Sequence, residues 1–414
     1  MRVEVINTGS ELLLGQVINT NVAFLGQKLA ELGIKIERQS SVPDGAIIKN
    51  ILLEAINRSE LIIITGGLGP THDDVSKEMA AELLDVELEE DLETLEQIRK
   101  KIESNGSKMR KINAKQAMVP KGAVILKNNN GTAPGIYLNH SINGNGVHIF
   151  LLPGPPRELN QMYNDSVDPI LRGLIEQNSD IINDCKNLFF SGLGESELAS
   201  RINEIIDSSD PRVEFGYCLK PGGIIFRCVG EKRVVYEAQD KVKESLRKYY
   251  LGDGIDSLQE FIVKDLKSKG ESLSLAESCT GGLIASLITN VPGASMVFNI
   301  GHVTYSNSSK VRVLDVPPDL ISLHGAVSQE VVISMAEGSL VKSNSDHSLA
   351  VSGIAGPSGA TQNKPVGTVF IALASKGMKT VVFNKVYKTD RISFKEKVSM
   401  FALDLLRQRL NFYI

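Results

Sequence analysis

The sequence has few cysteines and no long apolar run. Its four cysteines, Cys185, Cys218, Cys228 and Cys279, show no CxxC spacing. They are too sparse for a disulfide framework, and their spacing argues against a structural zinc site. No apolar segment reaches the length of a membrane span, and the first residues alternate like a strand instead of forming a signal core. We therefore expect a cytoplasmic protein with no membrane partner.

The chain also lacks a strong charge of either sign. Lysine and arginine number 45 and aspartate and glutamate 49, which gives a net charge of −4. This balance provides no general attraction to nucleic acid or to anionic membranes. The 414 residues, 42% of them hydrophobic, are enough for two or three ordinary globular domains. Small molecules and a second copy of the chain are the expected partners.

The most informative segment is Thr65–Asp74, which follows the apolar run Leu61–Ile64. Such a run predicts a buried parallel strand, and ligands of open α/β sheets bind beyond the carboxyl ends of the strands. Glycines let backbone N–H groups approach a phosphate, and Asp73 and Asp74 offer oxygen ligands for a divalent cation. The alternative is a tight turn in which one aspartate caps a helix. Three glycines and two carboxylates in ten residues favour metal-assisted phosphate chemistry.

The pattern of apolar residues predicts an α/β fold with two doubly wound, three-layer domains joined by a small α+β module. Alternating strands and helices up to about Leu152 indicate a parallel sheet. Shorter strands and two polar amphipathic helices follow, and from Leu273 the chain is again α/β. We predict domain boundaries at 1–170, 171–253 and 254–414. The strand and helix content of the middle module is similar to that of a KH fold.

Several motifs occur in one order along the chain, and with them the chain resembles full-length proteins of the CinA family, the competence/damage-inducible proteins A. In the first domain the similarity to the molybdopterin-binding-type domain lies in Gly9–Gln16, Asn19–Asn21, Thr65–Asp74, Gly131–Gly135 and Leu152–Glu158. In the last domain the similarity to the nicotinamide-nucleotide amidohydrolase domain lies in Ala276–Gly282, Val303–Asn307 and Ser352–Pro357.

This resemblance implies two activities. The last domain would convert nicotinamide mononucleotide to nicotinic acid mononucleotide and ammonia, a step of pyridine-nucleotide salvage, without a cofactor. The first domain would be a metal-dependent ADP-ribose pyrophosphatase that uses Mg²⁺ or a similar ion. We also expect a homodimer.

In the first domain, Asp73 and Asp74 are the predicted metal ligands. Glu11 is a further ligand or general base, or alternatively a carboxylate at a helix start. Asn19 either binds substrate or caps a helix. The backbone amides predicted to bind phosphate, and the glycine predicted to shape the opposite wall, belong to Gly66, Gly67, Gly69 and Gly154.

In the last domain, we predict a phosphate cradle at a helix start, formed by Ser278, Thr280, Gly281 and Gly282. Cys279, within this motif, is a candidate nucleophile or a buried small hydrophobe. The resemblance favours Ser295 as nucleophile, with Lys310 as base and Tyr305 nearby. A lysine serves as base only when its pKa is lowered, so Lys310 must be buried. Otherwise Ser295 caps a turn and Lys310 is solvated.

Further candidates complete the predicted amidase site. Ser352, Gly353 and Gly356 are expected to form an oxyanion hole or to bind the nicotinamide. Arg391 is expected to reach the phosphate, the alternative being a solvated position at a helix start.

Two rival functions come from other classes of protein. The first domain could bind a pterin or a nucleotide without hydrolysing it, so that only one site is active. The middle module could bind nucleic acid, but residues 172–253 carry 12 Lys+Arg against 14 Asp+Glu and no GxxG motif. We therefore expect no nucleic-acid partner, and interpret this module as a spacer or dimerisation element.

Overall fold

A computed structural model describes residues 1–104, 106–142, 145–178, 183–206 and 210–412. The chain divides into two compact units. The first comprises Met1–Cys185 with Val229–Val235, and the second comprises Lys186–Cys228 with Tyr236–Ile414. The boundaries of the three predicted domains stay a prediction.

The first unit contains the predicted alternation of strands and helices. Its strands are β1 (Val3–Thr8), β2 (Ile36–Val42), β3 (Leu61–Thr65), β4 (Leu88–Glu90), β5 (Met118–Pro120), β6 (Val124–Leu126), β7 (Gly135–Ile142) and β8 (Asn145–Leu152). Its helices are α1 (Ser10–Leu13), α2 (Thr20–Glu31), α3 (Ile47–Ile56), α4 (Ser76–Leu84), α5 (Leu92–Ser104), α6 (Pro156–Met162) and α7 (Asp168–Asn178). A 3₁₀ helix, Lys111–Ala117, precedes β5.

Six of these strands form one sheet in the order β2-β1-β3-β8-β7-β6. The first four are parallel, whereas β7 and β6 are antiparallel to their neighbours. Successive side chains of a strand point to opposite faces. Accordingly, Leu61 and Ile63 of β3 pack into one core, and Ile62 and Ile64 pack into the other. Both faces are therefore buried, and the loops that follow β1, β3 and β8 meet at one edge.

A three-stranded sheet lies between the two larger sheets in sequence. It has the order β10-β11-β9, formed by β9 (Asn183–Phe190), β10 (Val213–Lys220) and β11 (Gly223–Glu231). Two helices belong to this stretch, α8 (Glu195–Asn203) and α9 (Lys232–Ser245). The α+β content predicted for residues 171–253 is thus observed.

The remainder of the second unit is again α/β. Its strands are β12 (Leu273–Glu277), β13 (Phe298–Val303), β14 (His347–Gly353), β15 (Thr368–Ser375) and β16 (Val381–Val386). Its helices are α10 (Leu258–Lys269), α11 (Leu283–Thr289), α12 (Asn307–Leu314), α13 (Pro318–His324), α14 (Gln329–Ser343) and α15 (Arg391–Phe412).

This sheet has the order β13-β12-β14-β15-β16. β13, β12 and β14 are parallel, and β15 and β16 are antiparallel additions. One face carries large side chains such as Leu349 and Val351, which pack into a core that includes α10 and α15. The other face carries Ala350 and Ala372 against α14. The small residues let this helix lie close to the sheet.

The α/β class predicted from the sequence is confirmed. Both large sheets are mixed, not purely parallel, since each has two antiparallel strands at one edge. Within the described residues, no helix combines the length and the apolarity needed to cross a bilayer.

Candidate functional site

The first unit contains a cleft of about 300 Å³ at the edge where β1, β3 and β8 end. Glycines from the three loops line it: Gly9, Gly66, Gly67, Gly69 and Gly154. Four carboxylates line it as well: Glu11, Asp44, Asp74 and Glu158. The predicted glycines are thus brought together at one rim.

The glycine at position 69 is required by the position of Asp74. A Cβ built on Gly69 would lie 2.3 Å from the Asp74 Oδ2. This oxygen accepts a hydrogen bond from the Thr71 N–H at 2.9 Å and another from the Thr71 hydroxyl. The same Thr71 Oγ1 lies 2.5 Å from Asp73 Oδ1, so the two carboxylates share the single proton of this hydroxyl. The loop therefore gathers both aspartates around Thr71, but only Asp74 lines the cleft.

A lysine from the 3₁₀ helix holds the backbone of this loop. Lys115 Nζ donates to the carbonyl of Thr71 at 2.8 Å and also to the carbonyl of Asp74. The Lys115 carbonyl in turn accepts from Lys77, a buried lysine whose pKa is lowered to about 8 by desolvation. These contacts fix the aspartates relative to the sheet.

The carboxylates of the cleft crowd like charges together. Burial raises the pKa of Asp44, although hydrogen bonds from Ser10 and Thr8 oppose the shift, and the charges of Glu11 and Asp73 raise it further. A nearby cation would relieve this repulsion. Glu11 belongs to the first turn of α1, so both its predicted settings, cleft and helix start, are realised.

The lining of the cleft fits one mode of divalent-cation binding, in which the protein supplies only part of the ligands. Within the described residues, no three His, Cys, Asp or Glu side chains are grouped to form a metal cage. Mg²⁺ is typically held by one or two carboxylates together with substrate phosphates and water. The aspartates around Thr71, beside glycines open to a phosphate, match that form, with Asp74 as the ligand inside the cleft.

Asn19 is engaged in the helix and not in the cleft. Its side chain accepts from the Val22 N–H at 3.3 Å and is the N-cap of α2. Of the two predicted roles of Asn19, this hydrogen bond matches that of a helix cap. The neighbouring Asn21 reaches the loop instead, since its Nδ2 donates to the Gly154 carbonyl at 2.7 Å.

In the second unit, Lys310 is buried against the hydroxyl of Ser278. The Lys310 side chain is 1% exposed, and its Nζ lies 3.0 Å from Ser278 Oγ. The Thr304 and Tyr305 carbonyls hold the same nitrogen at 2.8 and 3.4 Å. Desolvation lowers the pKa of Lys310, which is the condition for a lysine base. The arrangement is a hydroxyl and an amine positioned for proton transfer.

The predicted partnership of Ser295 with Lys310 is wrong in its geometry. Ser295 is exposed on a short 3₁₀ turn, Ala294–Met296, in which it makes no hydrogen bond to Lys310. Lys310 is buried, as the prediction required, but the serine hydroxyl that it contacts is that of Ser278, directly after β12.

The structure contradicts the predicted phosphate cradle at Gly282, whose amide is already engaged, and the phosphate-binding roles of Ser278, Thr280 and Gly281 stay predictions. The buried Glu277 carboxylate accepts from the N–H groups of Gly282, Ile284 and Ala285 at 3.0, 3.2 and 2.8 Å. An internal carboxylate thus occupies the amides that a phosphate would need. Ser278 faces Lys310 instead, and the Thr280 hydroxyl is buried without a hydrogen-bond partner in the described part of the chain.

Cys279 is buried as a small hydrophobic side chain, which is the second of its two predicted roles. Burial raises the pKa of its thiol to about 12, opposite to the shift of a reactive cysteine. It packs against Gly353, where an added Cβ would lie 3.1 Å from the sulfur. The same Cβ would lie 2.8 Å from the Thr368 carbonyl, so this backbone oxygen and the sulfur together explain a glycine at position 353.

Tyr305, Gly356 and Arg391 are brought together beside Lys310. Arg391 Nη2 donates to the Tyr305 hydroxyl and Nη1 donates to the Gly356 carbonyl, both at 2.7 Å. The Ser352 hydroxyl is instead committed to the Ala326 carbonyl at 2.7 Å. Tyr305, Gly356 and Arg391 are therefore connected to Lys310 through the Tyr305 carbonyl, whereas Ser352 is bonded elsewhere in the backbone.

Comparison with known proteins places this chain in a family. Residues 255–410 match the CinA C-terminal domain, and residues 4–173 match the Probable molybdopterin binding domain. A CinA-like protein of Akkermansia muciniphila is 42% identical over 406 residues, which cover 97% of this chain and 96% of that protein. The chain belongs to the CinA family. A CinA-like protein of Kosmotoga olearia is 40% identical over 418 residues, with 99% of each chain covered.

Solved structures similar to this CinA-family chain correspond to part of its length. The crystal structure of a competence/damage inducible protein from Agrobacterium tumefaciens has 33% identity and a TM-score of 0.36. The match covers 39% of this chain and 99% of that one.

Three residues to which the sequence assigned no role contribute to the two candidate sites of this CinA-family protein, although two of them, Glu158 and Glu277, lie within the quoted motifs. Asp44 follows β2 at the same rim as the glycine loops, and that position is a signal the sequence contains. Glu158 lies so close to Gly131 that an added Cβ would be 1.9 Å from its Oε2. For Glu277 the sequence gives no such signal. A glutamate at the end of an apolar strand does not reveal that its carboxylate turns back onto the backbone amides of the next helix.

Proposed function

We propose that the second unit is a serine amidohydrolase that releases ammonia from nicotinamide mononucleotide, with Ser278 as nucleophile and Lys310 as base. The contact between Ser278 Oγ and the buried Lys310 Nζ carries this proposal. The family resemblance supplies the substrate.

The reaction follows from the positions of these two groups. Neutral Lys310 accepts the proton of Ser278 as Oγ attacks the amide carbon, and the C–N bond breaks when Lys310 returns that proton to the leaving nitrogen. Ammonia departs and an ester joins the acyl group to Ser278. Water then attacks the ester and loses a proton to Lys310, which returns that proton to Ser278 Oγ as the C–O bond to the acyl group breaks. The acid is released, and the Ser278 hydroxyl and neutral Lys310 are restored.

The hydroxyl of Tyr305 assists the proposed reaction. Its hydroxyl accepts from Arg391 and keeps its own proton for donation to the substrate. The guanidinium makes this hydroxyl a better donor, which suits the negative charge that develops on the amide oxygen.

The proposal is tested by the release of ammonia and nicotinic acid mononucleotide from nicotinamide mononucleotide in the presence of a chelator. We expect turnover that the chelator leaves unchanged, because serine and lysine carry the chemistry. An absence of both products from the folded protein would refute the proposed substrate.

We propose a second activity for the first unit, the metal-dependent hydrolysis of the pyrophosphate of ADP-ribose. The observation that favours it is the cleft in which glycine loops meet four carboxylates. A divalent ion there would neutralise phosphate charge and lower the pKa of a bound water. Asp74, with Asp73, would hold this ion, the glycine amides would orient the phosphates, and Glu11 or Asp44 would accept a proton from water.

Replacing Asp74 by asparagine is expected to lower Mg²⁺-dependent release of AMP from ADP-ribose by on the order of 100-fold. Asp73→Asn is expected to have a smaller effect, since Asp73 does not line the cleft. Asp85→Asn is a matched control, because Asp85 is exposed and its φ of 53° suits asparagine.

The rival function, binding without hydrolysis, gives a different result. In that case, ADP-ribose binds the native protein, as measured by calorimetry, but no AMP forms with any divalent metal. Equal loss of activity in the Asp74 and Asp85 variants would instead contradict the assignment of Asp74 as a metal ligand.

A further inference from the structure

A series of hydrogen bonds connects Ser278 to the neighbouring loop and to helix α15. Lys310 links Ser278 to the Tyr305 carbonyl, and the Tyr305 hydroxyl accepts from Arg391 at the start of α15. On the other side, the Gly281 N–H donates to the Ser278 carbonyl at 3.1 Å. The side chain nearest to the open face of Gly281 comes from the same helix as Arg391, so α15 places a cation near each end of this series of contacts.

That side chain is Lys395. A Cβ built on Gly281 would lie 3.7 Å from Lys395 Nζ, which places the ammonium directly above this glycine. Lys395 follows Arg391 by four residues, and side chains with that spacing lie on one face of a helix. The Lys395 carbonyl accepts from the Ser399 hydroxyl, but within the described residues the Lys395 ammonium makes no hydrogen bond, ion pair or cation–π contact, so its charge is available to a ligand.

The amides at the start of α11 are not available in this way. Glu277 occupies them, so the anionic end of a substrate needs another partner near Ser278. Asp390, the nearest carboxylate in sequence to Arg391, accepts from the N–H groups of Ile392 and Ser393 at 2.9 and 3.0 Å. These bonds hold the Asp390 carboxylate at the helix start, and Arg391 and Lys395 are the cations that α15 places near Ser278 and Gly281.

We infer that Lys395, together with Arg391, binds the phosphate of the mononucleotide substrate above Gly281. This inference rests on the proposed amidohydrolase function. A dianionic phosphate pairs well with a guanidinium and an ammonium, and the open surface of Gly281 leaves room for it. Lys395 is thus a specificity residue that selects phosphorylated over unphosphorylated amides.

The test compares two substrates that differ only in the phosphate, nicotinamide mononucleotide and nicotinamide riboside. Lys395→Gln is expected to raise KM for the mononucleotide by about 10- to 100-fold, the value of one charge-assisted hydrogen bond. It is expected to leave kcat for the mononucleotide and kcat/KM for the riboside unchanged. Lys397→Gln is the matched control, since Lys397 is exposed on the same helix.

A parallel fall of kcat/KM for both substrates, or no change for either, would overturn the inference. Calorimetric binding of nicotinic acid mononucleotide to the native and Lys395→Gln proteins provides a readout that needs no turnover. If the native protein binds this ligand more tightly than the variant but hydrolyses no mononucleotide, the proposed reaction fails and the phosphate site stands. Equal binding by both proteins refutes the phosphate site.

Discussion

Replacing Ser278 by alanine is expected to lower kcat for ammonia release from nicotinamide mononucleotide by at least ~10³-fold. Alanine removes the only atom that forms the acyl intermediate, and Lys310 has no other side-chain hydroxyl in hydrogen-bond contact among the described residues. The measurement is steady-state ammonia release, with thermal unfolding to verify that the variant folds.

Two matched variants separate this expectation from its alternatives. Ser295→Ala is expected to keep native activity, since Ser295 is exposed and makes no contact with Lys310. Cys279→Ala is expected to keep kcat within a few-fold, because the thiol is buried and protonated. Loss of turnover in Ser295→Ala, with Ser278→Ala active, would return the nucleophile to the position that the resemblance favoured.

Much of the fold was predictable because the hydrophobic pattern is strong. Apolar runs such as Leu61–Ile64 are buried on both faces, as expected for strands covered by helices. The parallel arrangement at the centre of each sheet then brings the strand ends to one edge, so the glycine loops meet. The antiparallel edge strands were not predictable, because the same apolar patterns suit either direction.

The sequence predicted which segments form the candidate sites, but it predicted less well which side chains in those segments contact one another. Lys310 was predicted to be the base, and the burial that this role requires is observed. Its partner was misassigned because Ser278 and Ser295 both lie before Lys310 in loops after buried elements. Which hydroxyl meets the amine depends on the path of residues 278–282, and that path is set by Glu277 folding back onto the amides of α11.

The phosphate site predicted at the start of α11 shows a similar limit of sequence-based prediction. A serine and threonine with two glycines before a helix predict an anion site, as such helix starts often bind phosphate. Only the structure shows that an internal carboxylate fills it. Lys395 gave no sequence signal, because it lies more than a hundred residues from Gly281, within a long helix that carries several other lysines and arginines.

Replacing Lys310 by methionine is expected to lower kcat by ~10³-fold or more and to remove the pH dependence that this group imposes. Below its pKa, Lys310 is an ammonium and cannot accept the proton of Ser278. Native activity should therefore rise with pH and level off as the ammonium loses its proton. Since burial lowers the pKa of Lys310, the plateau should begin below the pH at which a free lysine titrates, about 10.4.

Lys310→Arg distinguishes a base from a residue that only holds the loop. Arginine keeps a positive donor for Ser278 and for the Thr304 carbonyl, but it does not deprotonate in proteins. If proton transfer is the role of Lys310, the arginine variant is as inactive as the methionine variant at every pH. If the hydrogen bonds alone matter, arginine restores much of kcat. A pH–rate profile of the native protein that shows no acidic limb would likewise exclude Lys310 as the base.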